Sequence, residues 1–312
     1  MLEVTSLTRA FGNHLAIADI SMQVAEGEMV TIVGPSGCGK STLLRCVAGL
    51  LPPTSGQVVL NGVPVTRVPD RLAVVFQDYS RSLYPWLSVA ANVALPLLAA
   101  TRRGNDRGSR RGRAVRDPAV RDRAASQRAV SQRAVSQRAV SQRAVSQRAA
   151  RRAVALAALE SVGLGGFADR YPWQLSGGMQ QRVAIARALA CEPVLLLMDE
   201  PFGAVDAQTR EDLEDLLLRV QAERHITTLL VTHDIDESVY AGDRVIVLTR
   251  GPGRVRAEVA VDLPAPRDQI TTKERREFAR LRAEVSRLVR GTPAPASAPP
   301  EISPPEIFQQ AP

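Results

Sequence analysis

One stretch, Gly34-Pro35-Ser36-Gly37-Cys38-Gly39-Lys40-Ser41-Thr42, sets glycines, a lysine and two hydroxyls at a spacing suited to phosphate. The glycines permit a backbone curl whose N–H groups converge on an anion. Lys40 reaches β- and γ-phosphate oxygens, and the Ser41 hydroxyl is a hard oxygen ligand for Mg²⁺. Cys38 matters here for its backbone N–H more than for its sulfur. The apolar run Met29-Val30-Thr31-Ile32-Val33 before the loop reads as a buried strand, and Leu43 to Leu50 after it as a helix. The positive end of that helix adds to the attraction. Strand, loop and helix together form a P-loop, a nucleotide-binding device.

Four further residues complete a hydrolytic set. Val194-Leu195-Leu196-Leu197-Met198 reads as a central parallel strand, and Asp199-Glu200-Pro201 follows it. Asp199 can hold Mg²⁺, directly or through water. Glu200 can polarise a water for attack on a γ-phosphate. His233 ends the strand Thr227-Thr228-Leu229-Leu230-Val231-Thr232 and can contact that phosphate. Gln77, after Leu72-Ala73-Val74-Val75-Phe76, can reach the metal and the attacking water.

Strands alternating with helices imply a parallel sheet covered on both faces, with ligands at the carboxyl ends of its strands. Upstream, Leu2 to Thr8, Ala16 to Val24 and the Gln57-Val58-Val59-Leu60 hairpin at Asn61-Gly62 add further strands. Helices are expected from Ser88 to Ala100, Ala153 to Val162, through Leu189 after Leu175-Ser176-Gly177-Gly178, about Ala207 to Glu223, and 236–241. Phe278, Leu281, Val285, Leu288 and Val289 recur at helical spacing and predict a docked helix between Lys273 and Arg290. Beyond Gly291 the chain turns rich in Pro, Ala and Ser and reads as a disordered tail.

The chain has 312 residues, 45% of them hydrophobic, enough for a sizeable core. No apolar run approaches the roughly 18 residues of a membrane span, and Met1-Leu2-Glu3-Val4 does not open a signal peptide. Cys38, Cys46 and Cys191 have neither paired nor metal-ligand spacing and read as free thiols of a reducing compartment. The net charge of +8 is local: residues 101–152 hold 16 Arg and 3 Asp, a net of +13, which leaves −5 elsewhere. Within that segment Ser-Gln-Arg-Ala-Val repeats from Ser126 to Ala150. A five-residue period matches neither a helix nor a strand face, and the segment has no Leu, Ile or aromatic residue for a core. It reads as a solvated cationic insertion, disordered or transiently helical, with order returning at Arg152.

Taken together the motifs resemble the ATP-binding subunit of an ABC transporter. Leu175-Ser176-Gly177-Gly178-Met179-Gln180-Gln181-Arg182 is similar to the family signature, with Met179 where many members have Gln. Gln77 matches the Q-loop, Asp199 the Walker B carboxylate, Asp206 the D-loop and His233 the switch histidine. Phe11 falls where the family stacks an aromatic on adenine. The resemblance covers about residues 2–100 and 152–290. It implies a RecA-like P-loop NTPase core with an N-terminal antiparallel β subdomain and an inserted helical subdomain at about 85–180. The basic segment 101–151 interrupts that subdomain, and residues 1–290 form one domain. It also implies ATP and Mg²⁺ held between two such subunits, a homodimer, with Ser176, Gly177, Gly178 and Asp206 of one facing the phosphate loop of the other.

The stretch from Val75 to Leu87, with Arg250-Gly251-Pro252-Gly253-Arg254-Val255 and Asp262-Leu263-Pro264-Ala265-Pro266-Arg267-Asp268, is similar to nitrate/sulfonate/taurine-type importer subunits. That implies a membrane permease, an extracytoplasmic binding protein and a peripheral position on the cytoplasmic face of the membrane. Leu83, Tyr84 and Trp86 then lie near the groove for a permease helix, or else pack within the subdomain. An exporter or lipid-transport ATPase, or the ATPase of an importer for another substrate, is the competing reading. A soluble nucleic-acid ATPase is a further one, but the basic segment lacks the aromatic interleaving of a base-stacking surface, and no nucleic acid is expected. Deletion of residues 104–150 is expected to leave soluble protein with basal ATPase activity largely intact; loss of soluble protein would make the segment structural.

Overall fold

The computed structural model describes residues 1–78, 82–108 and 145–291. Two sheets organise them. β1 (Leu2–Phe11), β2 (His14–Val24), β4 (Ser55–Leu60) and β5 (Val63–Pro64) form an antiparallel sheet in the order β2-β1-β4-β5. The turn between β4 and β5 has Asn61 and Gly62 at φ 50° and 75°, the two positive angles that a tight hairpin needs. A second sheet has the order β10-β9-β3-β8-β7-β6. Its strands are β3 (Met29–Val33), β6 (Leu72–Val75), β7 (Leu195–Asp199), β8 (Thr227–Thr232), β9 (Arg244–Leu248) and β10 (Val255–Ala260). The pairs β6–β7, β7–β8, β8–β3 and β3–β9 are parallel, and β10 closes the edge antiparallel to β9.

Strand periodicity splits the apolar residues of the central strands between two cores. Leu195 and Leu197 face one core with Val30, Ile32, Leu229 and Val231, between the two sheets and around α1 (Lys40–Val47). Leu196, Met198 and Leu230 face the other, built on helices. These are α2 (Val89–Gly108), a helix α3 at 145–161, α4 (Gly177–Leu189) and α5 (Ala207–Arg224). The remaining helices, α6 (Ile235–Ala241) and α7 (Arg276–Arg290), cover β9 and β10 in a third core, to which Phe278, Leu281 and Val285 contribute.

Residues 109–144 of the basic segment and the tail from 292 lie outside the described residues. The flanks of the segment correct the expected boundary. Helix α2 continues to Gly108, and α3 is already helical at 145, the final residue of the fourth repeat copy, rather than from Arg152. Ala155, Ala158, Leu159 and Val162 are buried and hold α3. Once such a helix exists, extending it through Ala, Gln and Arg is far easier than nucleating one.

Candidate functional site

The phosphate loop, Asp199, Glu200, Gln77 and His233 all sit at the carboxyl ends of adjacent parallel strands β3, β7, β6 and β8. The loop leaves β3 and enters α1 through Gly39, whose φ of 94° is the left-handed conformation that glycine tolerates. A Cβ at Gly39 would also lie 2.5 Å from Ile17 and 2.7 Å from the Ala16 carbonyl of β2. Behind the loop, Gly253 pairs with β2: Ala18 N–H donates to Gly253 O (2.9 Å) and Gly253 N–H donates to Ala16 O (3.0 Å). A Cβ at Gly253 would lie 2.0 Å from Cys38 O, so only glycine fits there. The loop is therefore clasped from its back by two remote segments.

Lys40 is buried, and its Nζ donates to Gly34 O at 2.8 Å. Its partners are backbone carbonyls rather than an acid, which suits an ammonium that must also attract an anion. Ser41 Oγ donates to Asp199 Oδ1 at 3.0 Å. Burial pushes the Asp199 carboxyl above its usual range, opposed by the Ser41 hydrogen bond. Ser41 hydroxyl, Asp199 carboxylate and the Gln77 amide are all oxygen donors, a set that fits Mg²⁺ completed by water and phosphate. The Cys38 and Cys46 thiols are buried, and burial raises both, so neither has the character of a reactive thiolate.

Glu200 follows β7 with φ 46°, a left-handed conformation unfavourable to a side chain, and its N–H donates to Val231 O at 2.8 Å. That backbone turn sets the carboxylate between two neighbours. His233 Nδ1 lies 3.1 Å from Glu200 Oε2, and Gln77 Nε2 donates to the same oxygen at 3.1 Å. One face of the acid is thus oriented by two side chains from flanking strands, and His233 Nε2 is directed elsewhere.

The signature segment stands apart. Ser176 caps α4 by accepting from Met179 N–H (3.3 Å), and Asp206 caps α5 by accepting from Thr209 N–H (3.0 Å) and Thr209 Oγ1 (2.7 Å). Those hydrogen bonds hold the exposed Asp206 carboxyl below its usual range. Ser176, Gly177 and Asp206 are exposed, whereas Gly178 is buried with Thr209 2.3 Å from where its Cβ would be. Among the described residues no hydrogen bond or ion pair joins 176–178 to the phosphate loop.

Of the aromatic residues, Phe11 is 47% exposed at the end of β1. Leu83 is buried in the helical core and takes the packing role, while Tyr84 and Trp86 are exposed with their rings edge to face at 5.2 Å. Buried Asn92 fixes this turn: Tyr84 N–H donates to its Oδ1, and its Nδ2 donates to the carbonyls of Tyr84 and Leu87. Sequence reasoning missed Gln181, buried on α4, whose Nε2 donates to Pro201 O next to Glu200. A glutamine on the buried face of a helix was the available signal.

A profile of the ABC transporter family matches residues 17–203, which include the phosphate loop, the signature and Asp199-Glu200. The chain belongs to the ABC transporter family. This cassette is 40% identical over 274 residues to the bicarbonate transport ATP-binding protein CmpC of Synechococcus elongatus, covering 87% of this chain and 34% of that protein. It therefore spans about a third of the length of that relative. It is 41% identical over 281 residues to the aliphatic sulfonates import ATP-binding protein SsuB 2 of Burkholderia cenocepacia, covering 90% and 86%. The dimeric post-hydrolysis structure of the ATP-binding cassette MJ0796 bound to ADP and Pi superposes with a TM-score of 0.59 at 30% identity, covering 84% of this chain and 99% of that one.

Behind His233 the cassette buries two acids. Thr232 Oγ1 donates to Glu237 Oε2 (3.0 Å), and Gln269 Nε2 donates to Glu214 Oε2 (3.0 Å). Burial, and for Glu237 the nearby Glu214 charge, pushes these carboxyls up to about 8 and about 7 respectively. Both lie above the ordinary 4.5, so the native state keeps protons that the unfolded chain releases. Their contribution to stability is fully present below pH 4.5 and is lost as pH rises through 7 and 8. Glu237→Gln is expected to gain in melting temperature on its parent by about 2–4 °C on going from pH 5 to pH 8.5; a pH-independent difference would contradict the assignment.

Proposed function

We propose that this cassette is the ATP-hydrolysing subunit of an importer that drives a small anion such as a sulfonate, taurine or nitrate through a membrane permease. The observation that carries the hydrolytic half is the shared oxygen of Glu200, held by His233 and Gln77 beside Asp199 and the Lys40 loop. The names of the bicarbonate and sulfonate relatives support the import half.

In this reading residues 34–42 wrap the phosphates, Lys40 balances their charge and Phe11 stacks on adenine. Ser41, Asp199 and Gln77 hold Mg²⁺, which neutralises phosphate charge when bound. Glu200 orients a water through the oxygen left uncommitted by His233 and Gln77, and accepts its proton. His233 meets the γ-phosphate through Nε2. Ser176, Gly177, Gly178 and Asp206 act on the nucleotide of a second copy, forming a homodimer. The exposure of Ser176, Gly177 and Asp206 at the N-termini of α4 and α5, and the dimeric MJ0796 cassette, support this. Residues 1–290 serve as one domain, with a helical subdomain at about 85–180 interrupted by the basic segment 101–151, followed by the Pro-rich tail 291–312. No described helix is long and apolar enough to cross a membrane. A peripheral seat on the cytoplasmic face of the membrane, with the permease near Tyr84 and Trp86 and an extracytoplasmic binding protein supplying the anion, fits the reading.

Glu200→Gln is expected to bind ATP, to lose at least about 100-fold in turnover and to run as a dimer in size-exclusion chromatography under saturating ATP and Mg²⁺. Lys40→Ala is expected to lose nucleotide affinity and to stay monomeric. A Glu200→Gln monomer under saturating ATP would sink the shared-nucleotide arrangement.

A further inference from the structure

Phe11 is not a free aromatic. The Arg9 guanidinium carbon stands 4.7 Å from the centroid of its ring, over one face. Arg9 is itself tethered: its Nη1 donates to Pro52 O at 2.9 Å, in the turn that follows α1. Its Nε is buried away from solvent. On β1, Arg9 pairs across the sheet with Ile17, and Ile17 is the side chain that abuts Gly39 of the phosphate loop. The guanidinium thus ties the ring at the end of β1 to the turn after the P-loop helix, while the Arg9 backbone pairs with the strand at the back of the loop.

From this geometry we infer that Arg9 is a positioning residue for the base of the bound nucleotide, holding the Phe11 ring so that its opposite face receives a purine. The inference rests on Phe11 being the adenine platform. An exposed phenylalanine samples several rotamers, and fixing one costs binding free energy. A cation bound to one face settles that choice before the nucleotide arrives and leaves the other face open. The cation also draws on the ring's electron density, which favours stacking of an electron-rich heterocycle on the far side. A tyrosine at this position could be held through its hydroxyl; phenylalanine has no such handle, so the cation supplies the restraint.

The test uses the full chain, isothermal titration calorimetry and two ligands, ATP and inorganic triphosphate, which lacks a base. Arg9→Met keeps the length and packing of the side chain and removes the charge. It is expected to weaken ATP binding roughly three- to fivefold, the change that about 0.6–1 kcal/mol produces, and to leave inorganic triphosphate binding and kcat unchanged. Arg9→Lys is expected to recover most of the ATP affinity. In a Phe11→Ala background, Arg9→Met is expected to have no further effect. Equal weakening for ATP and inorganic triphosphate would make Arg9 a structural tether and overturn the inference. So would an unchanged ATP affinity in Arg9→Met when Phe11→Ala alone weakens it. If Phe11→Ala leaves ATP affinity untouched, the adenine platform itself falls, and the role of Arg9 with it.

Discussion

The parallel register of β6, β7 and β8 is the constraint on which the candidate site depends. Pairing sets Val75 opposite Met198 and Asp199 opposite Val231, so the residues that follow each strand emerge side by side. Gln77, Glu200 and His233 are far apart in the chain and adjacent at this edge for that reason alone. The register in turn follows from two buried faces. Leu195 and Leu197 belong to one core and Leu196 and Met198 to another, so a slip by one residue would exchange the faces of every side chain on the strand. The unfavourable backbone angle at Glu200 is sustained because the strand before it and the hydrogen bond to Val231 leave it no alternative.

The signature helix is joined to this centre without touching the phosphate loop. Gln181 reaches Pro201 from α4, and Gly178 lets α4 approach Thr209, the residue that satisfies Asp206 at the start of α5. A side chain larger than hydrogen at Gly178 would push the two helix ends apart. The exposed N-terminus of α4 is therefore held in register with the Asp206 carboxylate at the start of α5.

Much of this was legible in the sequence because the informative residues are local signals. A glycine-rich loop between an apolar strand and a helix, or an acid pair after five apolar residues, carries its meaning in a few positions. The Asn61-Gly62 turn and the apolar stripe of α7 were equally readable. Strand order was not, because β3 lies between β8 and β9, partners some 200 residues downstream. Strand β10 alternates regularly but over only six residues at a sheet edge, with a single one of them fully buried, and was not distinguished from a loop. The Arg9–Phe11 contact depends on side-chain direction at an irregular stretch of β1, where the pairing register shifts between Arg9 and Ala10. The helical state of residues 145–151 was not legible because periodicity reports which face is buried, whereas helix continuation needs no buried face.

The segment Gly251-Pro252-Gly253 first drew attention only as a likeness to importer subunits. In the fold it is a wedge: Gly253 is seated backbone to backbone between β2 and Cys38. A phosphate loop braced in this way cannot close on its ligand as a free finger would. The brace continues through β10 into the edge of the main sheet, so the loop is tied to both sheets. A push on the phosphate loop is therefore carried into β2 and, through β10, into the main sheet at once.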